Sequence, residues 1–164
     1  MPKTSADHLE VPGSYRGRMR IPNQASAAGS WILENGHRAL LAVTGGRWPK
    51  RLLGMQTLEL HTTGRKTGQR RSTMLTSPLH DESRVILVAS KGGYDEHPGW
   101  YKNLSADAEV EITIGERTVP MRARTATPEE KADLWPQLVA VYKGYEGYQR
   151  NTQRDIPVVI CEPR

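Results

Sequence analysis

The chain has 164 residues, a mean hydropathy of −0.62 and 37% hydrophobic residues, which is ordinary for one globular domain with a buried core. No apolar stretch approaches the roughly 20 residues of a membrane-spanning helix, and the N-terminus lacks a signal-peptide pattern, so we expect a cytoplasmic protein. The single cysteine, Cys161, excludes an internal disulfide, and the absence of metal-binding motifs predicts no metal site.

The net charge of +5 is unevenly distributed along the chain. Residues 1–53 contain eight Lys and Arg against three Asp and Glu, whereas residues 54–164 are balanced. We therefore distinguish a basic, partly helical N-terminal segment, residues 1–53, from a second domain, residues 54–164. A basic segment can bind nucleic acid, an acidic cofactor or the inner face of a membrane, and a solvated basic surface is an equal alternative.

Strand patterns dominate after residue 53, and two helical patterns interrupt them. The first helix is predicted over residues 95–104, with Pro98 near its start. The second begins at the cap Thr127, with a capping box completed by Glu130, and continues at helical spacing to Tyr142. Short strands with tight turns are typical of an antiparallel barrel or sandwich. The six predicted strands are residues 57–63, 70–77, 84–90, 109–115, 117–125 and 156–162.

The stretch between the first two predicted strands is strongly basic. It runs from His61 to Arg71 and places four cations within seven positions, with glycines on either side of the first pair. Backbone N–H groups next to glycine, together with Arg side chains, are well suited to phosphate or carboxylate. The pattern indicates an anion site that is not a P-loop, and a plain basic hairpin is an equal alternative.

A second glycine-containing turn, residues 89–93, follows the third predicted strand and precedes the helix near Pro98. A strand, a Ser-Lys-Gly-Gly turn and a helix N-terminus together form a natural cradle for an anion. The glycines would let a ligand approach the backbone closely. A structural turn without a ligand is the alternative.

Three tyrosines, Tyr142, Tyr145 and Tyr148, recur at intervals of three residues. On a helix they would share one face, which is typical of core packing, or they could line a pocket and supply O–H donors. No nucleophile elbow or catalytic triad accompanies them. To use a redox cofactor, a protein must mainly bind the cofactor's phosphate and leave one ring face exposed. The two anion sites therefore favour cofactor chemistry over hydrolysis.

Four motifs occur in a fixed order: TTGRKTG at 62–68, VASKGG at 88–93, PGWYKNL at 98–104, and the spaced tyrosines followed by IPVV at 156–159. In this order the chain resembles the deazaflavin (coenzyme F420)-dependent nitroreductase family of actinobacteria over about residues 55–163. The resemblance implies a mainly β fold with flanking helices, namely a six-stranded antiparallel split β-barrel related to FMN-binding proteins. It also implies the cofactor F420, an 8-hydroxy-5-deazaflavin with a phosphate and an oligoglutamate tail.

The resemblance further implies roles for individual residues of these motifs. In the basic turn, the phosphate and tail ligands would be Arg65, Lys66 and Thr67. The cradle on the cofactor's phosphate side would be formed by Ala89, Ser90, Lys91, Gly92 and Gly93. Contacts near the deazaflavin ring would come from Pro98, Trp100, Tyr101 and Asn103. The substrate pocket would be lined by Tyr142, Tyr145 and Tyr148, with Tyr145 or Ser90 as proton donor.

The implied activity is hydride transfer from reduced F420 to an electron-poor small molecule, such as a quinone, a nitroaromatic or nitroimidazole, or an enone. One alternative is an FMN-binding reductase of the same barrel type. Another is a basic nucleic-acid-binding module, but residues 54–164 are net neutral and the aromatics lie apart from the basic residues, so we expect no nucleic-acid partner. The sequence leaves the oligomeric state open.

Overall fold

The computed structural model describes residues 51–164. The predicted basic segment therefore lies outside the described residues, apart from its last three positions, and its helical content and membrane contact stay predictions. Arg51 and Leu52 pair with the sheet, so strand structure is already present just before the boundary that the charge pattern suggested. Within residues 51–164, no helix is long and apolar enough to cross a membrane.

The described part of the chain contains eight strands, three α-helices and one short 3-10 helix. The strands are β1 (Arg51–Leu52), β2 (Met55–Thr63), β3 (Arg70–Ser77), β4 (Leu79–His80), β5 (Val85–Val88), β6 (Glu109–Ile114), β7 (Arg117–Thr125) and β8 (Val158–Pro163). The helices are the 3-10 helix (Lys91–Gly93), α1 (Gly99–Ala106), α2 (Pro128–Val141) and α3 (Gly144–Asn151).

All strands belong to one antiparallel sheet with the order β1-β2-β6-β7-β8-β5-β4, and β3 also pairs with β2. Contacts between β3 and β5 curl this sheet into a half-barrel. The predicted mainly β barrel with flanking helices is confirmed, and each of the six predicted strands is present. Strands β1 and β4 were not predicted because two residues are too few to show an alternating pattern.

Strands β5 and β8 lie between two hydrophobic clusters and carry apolar side chains on both faces. Alternate residues, including Leu87 and Val159, face the barrel cluster together with Trp100 of α1. The residues between them, including Ile86, face the second cluster under α2 and α3. Because both faces of each strand are buried, both strands have continuous apolar runs. The same packing fixes the positions of the ends of these strands.

The helices differ from the predictions mainly at their ends. The capping box of α2 is confirmed, since Thr127 Oγ1 accepts from the Glu130 N–H at 3.2 Å and Glu130 Oε2 accepts from the Thr127 N–H at 2.8 Å. Helix α1 begins at Gly99 rather than at residue 95, with Pro98 as its extended N-cap.

The tyrosines do not lie on one continuous helix, as their spacing suggested. Tyr142 is the extended C-cap of α2, while Tyr145 and Tyr148 lie on α3. A side chain at position 144 would come within 2.4 Å of the Tyr142 ring, so Gly144 allows this ring to fold back over the start of α3. The break therefore follows from close packing of one ring on the backbone.

Candidate functional site

The basic turn between β2 and β3 is a closed loop held by its own backbone. The Gly64 N–H donates to the Gln69 carbonyl at 2.8 Å, and the Gly64 carbonyl accepts from the N–H groups of Thr67 and Gly68 at 3.0 and 2.7 Å. Gly68 has a φ of +65°, which favours glycine. Thr67 thus helps to close the loop, while its side chain and those of its basic neighbours stay exposed.

Helix α1 fixes the orientation of this turn through Asn103. The Asn103 Oδ1 atom accepts from the N–H and the guanidinium of Arg65 at 3.3 and 3.2 Å, and its Nδ2 donates to Thr62 at 3.2 Å. Asn103 is buried, so these bonds occupy the side chain that was predicted to touch the cofactor ring. The Asn103 amide therefore links α1 to the turn and restrains the Arg65 side chain.

The four cations of the turn differ in how they are neutralised. Arg70 forms an ion pair with Glu111 at 2.6 Å. Within residues 51–164, Arg65, Lys66 and Arg71 have no acidic partner, and all three residues are exposed, although Arg65 bonds the neutral Asn103 amide. Uncompensated cations next to a closed loop are the arrangement expected for binding an anion with several charges.

The second predicted cradle forms an anion-binding backbone nest, which we call the phosphate nest (residues 90–93). Ser90 is right-handed helical (φ −71°, ψ −38°), and the next residue, Lys91, is left-handed with a φ of +47°. This succession directs consecutive N–H groups toward one point, where an anion can bind. The N–H groups of Lys91 and Gly92 find no acceptor within residues 51–164, so the nest has unused donors.

Gly93 brings the phosphate nest into direct contact with α3. Its φ is +81°, and a Cβ atom there would lie 2.7 Å from the Tyr148 carbonyl oxygen and 2.9 Å from the Tyr148 Cα. Gly92 is also left-handed, at +66°, but a Cβ there would come no closer than 3.6 Å to Tyr94. Of these two positions, only position 93 requires glycine both for its left-handed conformation and for its close packing against backbone atoms.

Arg154, which the sequence did not single out, spans the segment around the nest. Its Nε donates to the Tyr94 carbonyl at 2.7 Å, and one terminal nitrogen donates to the carbonyls of Ala89 and Ser90 at 3.0 and 2.8 Å. The other terminal nitrogen bonds His97 Nδ1 at 3.2 Å. The pairing of Val88 with Val158 places the residues before β8 beside those after β5, and knowledge of this register would have pointed to Arg154.

The three tyrosines form one aromatic cluster despite the break between the helices. Their ring centroids are 5.2 to 6.4 Å apart. Tyr145 is 5% exposed, its hydroxyl contacts Met55 Sδ at 3.5 Å, and burial raises its pKa well above the usual range. The hydroxyls of Tyr142 and Tyr148 are 3.1 Å apart, and this hydrogen bond, together with burial, raises the pKa of Tyr148 to about 12. The phenols of Tyr145 and Tyr148 therefore keep their protons at neutral pH.

The residues predicted to touch the deazaflavin ring occupy different environments. Trp100 is 8% exposed and belongs to the barrel core, and Pro98 is the buried N-cap of α1. Tyr101 is half-buried, with its ring 5.0 Å from that of His97 and its hydroxyl 2.9 Å from Thr125 Oγ1. Tyr101 is thus the most accessible aromatic of this group.

Helix α1 connects the two anion sites along the chain. Its first residue follows the loop that leaves the phosphate nest, and Asn103 contacts the basic turn one helical turn later. That interval corresponds to about 6 Å along the helix axis. A family model for F420H(2)-dependent quinone reductases matches residues 35–163 of this chain.

The chain belongs to the F420H(2)-dependent quinone reductase family. An F420H(2)-dependent quinone reductase of Mycobacterium tuberculosis is 41% identical over 133 residues, which cover 78% of this chain and 88% of the relative. The structure of an F420-H2 dependent reductase is 36% identical, with a TM-score of 0.59, covering 65% of this chain and 93% of the other. A second structure, described as a domain-swapped dimer, is 33% identical with a TM-score of 0.62, covering 82% of this chain and 99% of the other.

Membership confirms the resemblance that the order of the motifs predicted. The protein is an F420-dependent reductase, and coenzyme F420 is its cofactor. The described residues suit this cofactor on independent grounds, since a phosphate fits the unused N–H donors of the nest and a carboxylate tail fits the uncompensated Lys66 and Arg71.

Proposed function

We propose that this enzyme reduces a quinone with reduced F420, and that the phosphate nest and the basic turn hold the cofactor's anionic part. The observation that carries the proposal is the phosphate nest, in which a right-handed Ser90 and a left-handed Lys91 leave two N–H groups without acceptors in the described chain. The matching family of F420H(2)-dependent quinone reductases supports the choice of acceptor. Nitroaromatics, nitroimidazoles and enones are further electron-poor acceptors for the same hydride.

We assign the phosphate and the tail of the cofactor to different residues, according to the surroundings of each residue. The cofactor phosphate binds the N–H groups of the nest, with the Lys91 ammonium close by. The carboxylate tail binds Lys66, with Arg65 and Thr67 at its side. The Lys91 ammonium lies 3.6 Å from Glu96 and 5.8 Å from the centroid of the Tyr94 ring, so its position is already restrained. A restrained cation loses less conformational entropy when it binds a phosphate.

Reduced F420 supplies a hydride from its deazaflavin ring, and a quinone needs one further proton to become a hydroquinone. The two candidate donors of this proton are the hydroxyls of Ser90 in the nest and Tyr145 in the aromatic cluster. The raised pKa of Tyr145 keeps this phenol protonated at neutral pH but makes it a weak acid. We propose that Tyr145 donates a hydrogen bond to the developing oxyanion, while Ser90 or water relays the proton.

The function can be tested with the purified full-length protein. We expect F420, followed by its fluorescence, to bind more tightly than FMN, and reduced F420 to be oxidised when a soluble naphthoquinone is added. Hydroquinone formation and F420 oxidation should occur in equal amounts. Binding of FMN in preference to F420 would support the FMN-reductase alternative, and F420 binding without quinone reduction would remove quinones as the acceptor.

We expect the substitution Tyr145→Phe to lower kcat about tenfold and to leave the Kd for F420 unchanged. The substitution removes one hydroxyl, whose acceptor in the structure is a sulfur atom. The loss of one hydrogen bond in the transition state raises the activation free energy by about 1–1.5 kcal/mol, which corresponds to about tenfold in kcat. Steady-state kinetics with reduced F420 and a naphthoquinone measure the effect. Tyr142→Phe is the comparison variant, because within residues 51–164 its phenol bonds Tyr148, and we expect it to lower kcat less than Tyr145→Phe does. Equal rates for wild type and Tyr145→Phe would exclude Tyr145 from the chemistry.

A further inference from the structure

Within residues 51–164, Arg154 is the one cation that contacts the backbone on both sides of the phosphate nest. It lies between α3 and β8, more than 50 residues away in sequence from the carbonyls that it binds. Its guanidinium makes four hydrogen bonds, three of them to the carbonyls of Ala89, Ser90 and Tyr94. Two of these carbonyls precede the left-handed residues of the nest and one follows them.

The direction of these carbonyls matters for the nest. A left-handed residue other than glycine costs about 1–2 kcal/mol, and Lys91 is such a residue, so the surroundings must hold this conformation. The Arg154 guanidinium binds three carbonyl oxygens on one side of the turn. The N–H groups of Lys91 and Gly92 are therefore left to point away from Arg154. A planar guanidinium presents five donors in a fixed fork, whereas an ammonium presents three on a single atom, so a lysine would hold these carbonyls less well.

The position of Arg154 is itself fixed by neighbouring groups. The Thr152 hydroxyl accepts from the Arg154 N–H at 3.3 Å and donates to Asp95 Oδ1 at 2.9 Å, and Gln149 binds the Arg154 carbonyl at 2.8 Å. His97 Nδ1 accepts from the guanidinium, and burial lowers the pKa of His97, which favours the neutral ring that can accept. The segment around the nest is therefore tied to the end of α3 from several sides.

We propose that Arg154 is a positioning residue that preorganises residues 89–94, so that the phosphate nest exists before the cofactor arrives. The proposal rests on the proposed role of the nest in binding the F420 phosphate. Arg154 acts through the backbone and has no contact with the acceptor. Preorganisation lowers the conformational entropy that binding would otherwise cost.

The variants Arg154→Gln and Arg154→Lys test this role in the full-length protein. We expect Arg154→Gln to raise the Kd for F420 by roughly 10- to 100-fold, since three charge-assisted bonds are lost. Arg154→Lys should give an intermediate Kd, and kcat at saturating F420 should stay within about twofold of wild type. Arg150→Gln is the matched control, because Arg150 is an exposed cation in the last turn of α3, four residues before Arg154, and within residues 51–164 it pairs only with Glu146, at 3.7 Å.

Hydrogen exchange of the cofactor-free protein supplies a second readout. In Arg154→Gln, peptides that cover residues 88–97 should exchange faster, while those that cover β6 and β7 should be unchanged. Unchanged exchange in 88–97, or faster exchange throughout the barrel, would overturn the positioning role. Faster exchange confined to 88–97 with an unchanged Kd would instead show that the nest does not bind F420, and the proposed cofactor site would fail.

The salt dependence of Kd separates positioning from direct contact. If Arg154 acts through the backbone, the slope of log Kd against log salt should be the same in Arg154→Gln and in wild type, although Kd itself is raised. A clearly smaller slope in Arg154→Gln would show that the guanidinium binds the cofactor's charge directly and would overturn the proposal.

Discussion

Replacing Gly93 by alanine should cause a large loss of both stability and cofactor binding. The new Cβ would lie 2.7 Å from the Tyr148 carbonyl oxygen and 2.9 Å from its Cα, and these are backbone atoms that cannot rotate away. The left-handed φ of +81° adds its own cost. Together we expect a decrease of about 2–4 kcal/mol in the free energy of unfolding.

The same substitution should weaken F420 binding more than tenfold. Relief of the clash requires the phosphate nest to move away from α3, and this movement would turn the N–H groups of Lys91 and Gly92 out of register with a phosphate. Denaturant unfolding measures the stability, and fluorescence titration with F420 measures the Kd. Both should be determined at a temperature where the variant is fully folded.

Gly92→Ala is the matched control for this prediction. Gly92 has a similar φ of +66°, but a Cβ there would lie 3.6 Å from the Tyr94 ring, which is an ordinary contact. It should therefore cost only about 1 kcal/mol, from the left-handed conformation alone. Equal losses in the two variants would show that conformation, and not packing against Tyr148, makes Gly93 necessary.

The second large effect is expected at the basic turn. Lys66→Ala should raise the Kd for F420 roughly 5- to 30-fold, which corresponds to about 1–2 kcal/mol for one exposed charge-assisted contact. Lys66 is the appropriate target because it is exposed and has no acidic partner within residues 51–164. Reversal of the charge in Lys66→Glu should weaken binding further.

Salt and a neighbouring cation provide the controls for Lys66. Added salt should weaken F420 binding in the wild type and have a smaller effect in Lys66→Ala, because exposed charges are screened. Arg70→Ala should change Kd by less than about twofold, since the Arg70 guanidinium already pairs with Glu111. A salt-independent Kd, or a larger effect of Arg70→Ala than of Lys66→Ala, would contradict the role of the turn.

For several predicted site residues, the surroundings in the structure differ from those that the predicted role suggested. The family resemblance implied Tyr145 or Ser90 as proton donor, and the structure encloses Tyr145 in the second hydrophobic cluster. Trp100 and Asn103 were likewise chosen as ring contacts, and both are engaged by the fold, one in the core and the other in the link to the basic turn. Their predicted contacts with the cofactor remain predictions.

Local patterns in the sequence determined six of the strands, the capping box of α2 and the two glycine-containing turns, and the order of four such motifs indicated the family. Each pattern depends on residues close together in the chain, such as an alternation of apolar residues or the spacing from Thr127 to Glu130. For the same reason, the sequence predicted that residues 89–93 form an anion cradle without showing how that cradle is held in shape.

Only the tertiary structure decided which groups support the site. Arg154 reaches the nest across about 60 residues of sequence, Gly93 meets the backbone of Tyr148, and Asn103 meets Arg65. The β5–β8 pairing and the curl of the half-barrel create these contacts, and no short-range pattern encodes them. The physical reason is that a hydrogen bond or a steric contact depends on distance in space, whereas sequence periodicity reports only which face of an element is buried.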